Sequence, residues 1–287
     1  MSFDGKLRAQ FASFHGKHPA EPYRRPALPV KQSYCILITP RSGSTWLCRR
    51  MARLDVLSCP TEHFNADAFA TTLKYNPGRD IYEVFDLIAA KNCTNTGIFG
   101  FKISYFDLAE FEREAPLLDV MPPGEQHIVT LRRENFVAQA ISLHVAVESQ
   151  MFHAIGAAPE SLVRPPVPYD DNRIMYWACH ILQQEHGIAR WLQDNKVTPL
   201  ALTYEELVED VDAAIGRIAA RLGVDLSAAR AREMPQAEKF TADRTGEYEA
   251  RFRAQHPRFC RRWAVLRGRL PCLVNHAIAE DPPCAAA

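Results

Sequence analysis

Tyr34-Cys35-Ile36-Leu37-Ile38 is an unbroken apolar run, and it stops at Thr39-Pro40. Arg41-Ser42-Gly43-Ser44-Thr45 follow, and the chain turns apolar again at Trp46-Leu47. A short continuous apolar run predicts a strand covered on both faces, the kind from which parallel sheets are built. Residues 44–54 then predict a helix whose hydroxyl-rich start caps its free backbone N–H groups. Strand, tight turn and helix N-terminus together make an anion site, because the first helical amides lack intrahelical acceptors and the helix dipole is positive there. Gly43 allows close backbone approach. Ser42, Ser44 and Thr45 add hydroxyl donors, and Arg41 adds a fixed charge. A plain Ser-rich cap is the simpler alternative, but a cap needs a single hydroxyl.

The remainder of the chain alternates in the same way. Ile81, Val84, Phe85 and Ile88 recur at helical spacing and predict an amphipathic helix over 80–91. Segments 96–104, 126–133 and 198–204 read as further strands. Helices are expected from about Asn135, with Phe136, Ala140, Leu143 and Val147 on one face, and from Arg173 to Asp194, with Trp177, Ile181, Ile188 and Trp191 inward. Another covers 205–223 and ends at Gly223, a suitable C-terminal cap. Residues 164–172 read as a loop. This is the α/β pattern: one domain around a mainly parallel sheet flanked by helices. Residues 1–32 are expected to be a leader packed on the surface or partly mobile, 33–287 the domain with its core at about 33–255, and the DPPCAAA end frayed.

Lys plus Arg and Asp plus Glu each number 34, so the formal net charge is zero. A basic surplus for broad nucleic-acid or anionic-membrane binding is absent, although one local basic pocket is compatible with neutrality. The eight cysteines form no CxxC pair and read as reduced thiols. His180 and His186 do not share a helix face, no HExxH occurs, and no metal site is expected. The N-terminus lacks an apolar stretch of signal-peptide length, and no run approaches the ~18 residues of a membrane span, which predicts a cytoplasmic protein.

The identity of the anion is constrained by what the turn lacks. Reading it as GxxxxGK[ST], with Gly43 as the second glycine, puts Ile38 at the first glycine and Ser44 at the lysine. Both positions fail, which disfavours a Mg²⁺-dependent nucleotide-splitting loop. A second strand–Arg–helix unit occurs at LRRENFVAQAISLHVA, residues 131–146. Arg133 offers a bidentate fork for a phosphate. Ser142 lies about two and a half helical turns further on, so it is expected to reach a bulky group along the helix rather than Arg133 itself. Arg132, expected to be solvated, ranks below Arg133.

PRSGSTWL, together with Arg133, Gln139-Ala140 and Ser142, resembles the donor-binding motifs of sulfotransferases that use 3′-phosphoadenosine 5′-phosphosulfate (PAPS), in the Arg form of the bacterial trehalose sulfotransferase-like family. CPTEHF (59–64) is similar to that family's Pro-x-Glu-x-Phe segment, GIFGFKIS to its Gly-x-Lys strand, and residues 234–255 to its tail, with Glu238 in place of Asp. The resemblance covers about 33–255 and implies a P-loop NTPase-like sulfotransferase fold without a metal. It implies that Arg41, Ser42, Gly43, Ser44 and Thr45 hold the 5′-phosphosulfate and that Arg133 and Ser142 hold the 3′-phosphate. Glu62 falls at the catalytic-base position, with His63 as the second candidate. Arg41 and Lys102 are implied to stabilise charge during transfer, while a strand-end lysine reaching solvent is the alternative for Lys102. The expected acceptor is a carbohydrate or glycolipid hydroxyl, and the expected assembly a homodimer. A nucleotide or sugar kinase with a degenerate loop, and a non-catalytic sensor of 3′-phosphoadenosine 5′-phosphate (PAP), are the competing readings.

Overall fold

The computed structural model describes residues 5–16, 30–121, 127–152, 154–155, 163, 165–229, 237–238 and 245–270. Much of the expected leader (17–29), most of 234–244, Cys272, Cys284 and the DPPCAAA end lie outside the described residues. The strands are β1 (Gln32–Ile38), β2 (Ile98–Ser104), β3 (His127–Arg132), β4 (Ala154–Ile155), β5 (Leu200–Thr203) and β6 (Ala237–Glu238). The helices are α1 (Lys6–His15), α2 (Ser44–Ala52), α3 (Phe69–Tyr75), α4 (Ile81–Asn92), α5 (Tyr105–Phe111), α6 (Leu117–Val120), α7 (Phe136–Ser149), α8 (Asp171–Asp194), α9 (Tyr204–Arg221), α10 (Thr245–Gln255) and α11 (Pro257–Gly268).

All four strands read from the sequence form one parallel sheet in the order β2-β1-β3-β5. β4 and β6 form a separate antiparallel pair. Side chains alternate across each strand. Tyr34, Ile36 and Ile38 join Leu47, Met51 and Ile215 on one face of the sheet. Cys35 and Leu37 join Phe64, Phe85 and Phe101 on the other. Both faces are therefore covered, as the continuous apolar runs require.

Several elements differ from expectation in instructive ways. Residues 6–15 of the leader form α1, which inserts Leu7 and Phe11, one turn apart, into the core beside Phe69. α7 is buried almost all round rather than along one stripe, because it packs against both α8 and α10. Gly223 does end α9: with φ of 64° it follows Leu222, and its N–H and that of Val224 donate to Ala220 O and Ala219 O at 3.2 and 2.8 Å. Among the described residues, no helix is long and apolar enough to cross a membrane.

The strand order determines where a ligand can enter. From β1 the chain moves to β2 on one side and later to β3 on the other. In open parallel sheets such a switch point is where ligands bind, outside the carboxyl ends of the strands, here those of β1 and β3.

Candidate active site

Sheet register brings the candidate residues to one edge. Ile38 lies opposite both Ser104 and Leu131, and Arg132 lies opposite Thr203. The turn after β1, Lys102 near the end of β2, Arg133 after β3 and Tyr204 after β5 therefore share the carboxyl edge of the sheet.

The turn after β1 is built from two left-handed residues, Arg41 (φ 63°) and Gly43 (φ 85°). Such curling gathers backbone amides into a concavity suited to an anion. Gly43 is itself the N-cap of α2, and no side chain caps that helix. The expectation that the hydroxyls act as caps therefore fails: the N-cap needs a left-handed conformation that favours glycine. The hydroxyls of Ser44 and Thr45 instead accept hydrogen bonds from Lys102 Nζ at 3.3 and 3.2 Å. Ser42 is fully buried, and its Oγ finds no partner among the described residues.

Lys102 is only 6% exposed, so it does not reach solvent from a strand end. Its ammonium also lies 2.9 Å from Glu62 Oε1. Backbone pairing explains this placement. Thr61 forms an isolated parallel bridge with Phe101, and Lys102 N donates to Thr61 O at 3.0 Å. Glu62 is thereby fixed beside Lys102. His63 has other surroundings: its ring lies 6.1 Å from that of Phe99, which faces the opposite side of the sheet, and its Nε2 is 2.8 Å from Thr61 Oγ1. Burial lowers the His63 pKa to about 4. Cys48, buried on α2, has its thiol pushed up to about 12 by burial. The six cysteines within the described residues are free.

The second motif docks onto the first. Ser142 does not meet Arg133; its Oγ accepts from Arg41 Nε at 3.1 Å, while Arg41 Nη1 donates to Phe152 O at 2.5 Å. Gln139, fully buried, donates to Thr39 Oγ1 and Pro40 O at 2.9 and 2.7 Å, tying α7 to the end of β1. Arg133 stacks its guanidinium on the Tyr204 ring, 4.5 Å from the centroid. The same ring closes against Gly43, where an added Cβ would lie 2.6 Å from Tyr204 Cδ2. Tyr204 thus touches both halves of the site. Its sequence signal is slight: an aromatic directly after the last strand of a parallel sheet. Arg132 is not solvated, since its side chain is 12% exposed and pairs with Glu134 at 2.9 Å.

The edge thus holds a buried, unpartnered Ser42 hydroxyl, the N-terminus of α2 and three cations within one connected framework, a fit for a ligand with separated anionic groups. Among the described residues, no cluster of three His, Cys, Asp or Glu is placed to hold a metal ion. The sequence model of the Stf0 sulphotransferases matches residues 33–255. The chain belongs to that family. This sulfotransferase is 24% identical over 268 residues to the trehalose 2-sulfotransferase of Mycobacterium tuberculosis (strain ATCC 35801 / TMC 107 / Erdman), an alignment covering 78% of this chain and 96% of the relative. The matched span contains every residue placed at the edge above and ends at Gln255, ahead of α11.

Proposed function

We propose that this sulfotransferase moves a sulfuryl group from PAPS to a hydroxyl of a carbohydrate or glycolipid acceptor, with Glu62 as general base. The observation that carries this reading is the connected chain Glu62–Lys102–Ser44/Thr45 at the N-terminus of α2. It puts a proton acceptor, a cation and an anion-binding helix end in immediate contact.

PAPS, when bound, supplies an activated sulfuryl group that already carries negative charge. The amides of residues 43–45 and the hydroxyls of Ser42, Ser44 and Thr45, with Arg41, hold its 5′-phosphosulfate end, and Arg133 and Ser142 hold its 3′-phosphate. Tyr204, wedged between Gly43 and Arg133, keeps these two anion sites at a set spacing. Arg41 and Lys102 neutralise charge that gathers on the transferring and leaving oxygens, a preorganised field that needs no rearrangement during the reaction. Glu62 takes the proton of the acceptor hydroxyl, which is otherwise a poor nucleophile at neutral pH. His63, turned toward Phe99, is left as a support. The likeness to trehalose 2-sulfotransferase supports a carbohydrate acceptor.

The test is turnover with radiolabelled PAPS against trehalose and a panel of sugars and glycolipids. Transfer of label to at least one hydroxyl acceptor, with stoichiometric PAP, is expected. A folded enzyme that binds PAP yet labels no acceptor would favour the sensor reading instead.

A further inference from the structure

We propose that Arg267 and Glu185 are positioning residues for the donor site, locking the turn that carries Arg133. This extends the enzyme's working parts to α11, beyond the family match, and it rests on the reading that Arg133 holds the nucleotide.

Arg267 is 7% exposed and Glu185, on α8, only 1%. Arg267 Nε and Nη2 donate to the two Glu185 carboxylate oxygens at 2.7 and 2.5 Å. The other side of the same guanidinium grips the backbone: Nη2 donates to Arg133 O at 2.6 Å and Nη1 to Glu134 O at 2.7 Å. The β3–β5 pairing ends at Arg132, so these next carbonyls lie past the ladder. The amides of the turn are held from the other direction, since Glu134 N and Asn135 N donate to Glu205 at 2.9 and 3.2 Å. Carbonyls and amides of one short turn are thus held by side chains from two different helices.

Arginine suits this task because it presents five donors in one rigid plane, enough to serve a carboxylate and two consecutive carbonyls together. Lysine can match the charge but not the plane. A buried ion pair is also a weak device for stability alone, as apolar replacements of similar volume are often tolerated. Its consequence here is geometric. The turn sets where the Arg133 guanidinium lies over Tyr204, and a displacement of about 1 Å in a binding constellation can cost up to ~10²-fold.

Arg267→Ala alone strands the Glu185 charge in the core, so the test uses two charge-balanced variants, Arg267→Met/Glu185→Met and Arg267→Lys, with Arg133→Ala as control. PAP titration and PAPS kinetics are read beside the melting temperature of each apo protein. The double variant is expected to bind PAP about 10-fold or more weakly, with the loss falling on KM for PAPS rather than on kcat and without a matching drop in melting temperature. Arg267→Lys should recover only part of the affinity, and it carries the test by itself if the double variant does not fold. Wild-type PAP affinity in either folded variant, while Arg133→Ala loses it, overturns the positioning role and leaves the proposed function intact. Wild-type affinity in Arg133→Ala removes the nucleotide reading, and this inference with it.

Discussion

Glu62 and His63 are sequence neighbours with opposite surroundings, and their variants should separate cleanly. Glu62→Gln keeps the shape and the reach to Lys102 but removes the base. A fall in kcat on the order of 10²-fold is expected, the usual worth of a general base, with little change in PAP affinity. Near-native kcat in Glu62→Gln, alongside loss in His63→Ala, would move the base to His63. The His63 pKa, lowered by burial to about 4, carries a different consequence. The unfolded chain takes up that proton near the ordinary histidine value of about 6.5 while the native state refuses it, so stability is lost as pH falls from there toward 4. His63→Gln should flatten the acid-side decline in melting temperature. His180, also lowered by burial, leaves a residual slope. Identical slopes in native and variant proteins would contradict the buried, neutral state of His63. The structure brings Glu62 and Lys102, singled out in the sequence by their resemblance to family segments, into contact. The contacts of Tyr204 and Arg267 were not legible, because their partners lie far away in sequence.

The elements show where local patterns suffice and where they fail. The four sheet strands announce themselves because burial on both faces demands unbroken apolar runs. α1 does not, because its mixed, Pro-flanked setting hides Leu7 and Phe11, which lie a single turn apart. The start of α2 misleads in another way: its hydroxyls look like caps, but a left-handed glycine occupies the N-cap and releases them to Lys102. Gly43→Ala tests that arrangement. The new Cβ meets Tyr204 Cδ2 at 2.6 Å in a backbone with φ of 85°. The left-handed strain alone costs about 1–2 kcal/mol, so the melting temperature should drop by a few degrees and PAP binding should weaken as Tyr204 shifts. A Gly43→Ala protein that melts and binds PAP like the native one would show that the Tyr204–Gly43 contact does not shape the site.

For the whole molecule, a formal net charge of zero conceals a concentration of charge. Parallel strands gather Arg41, Lys102 and Arg133 from three distant segments to a single edge, where Gln139 and Ser142 of α7 tie the two motifs together. The motif order was visible in the sequence. The direct bond from Ser142 to Arg41 was not, since it arises from how α7 crosses the end of β1. The proposed function requires this edge to hold two phosphates of one nucleotide, and melting curves with PAP and with AMP separate the two sites. A ligand binding only the native state at about 100 times its Kd stabilises it by ~2.7 kcal/mol. AMP lacks the 3′-phosphate and its charge-assisted bonds, worth at least ~1.5 kcal/mol or roughly tenfold in affinity. PAP should therefore raise the melting temperature clearly, and AMP at the same concentration much less. Equal shifts from the two nucleotides would contradict a 3′-phosphate site at Arg133 and Ser142.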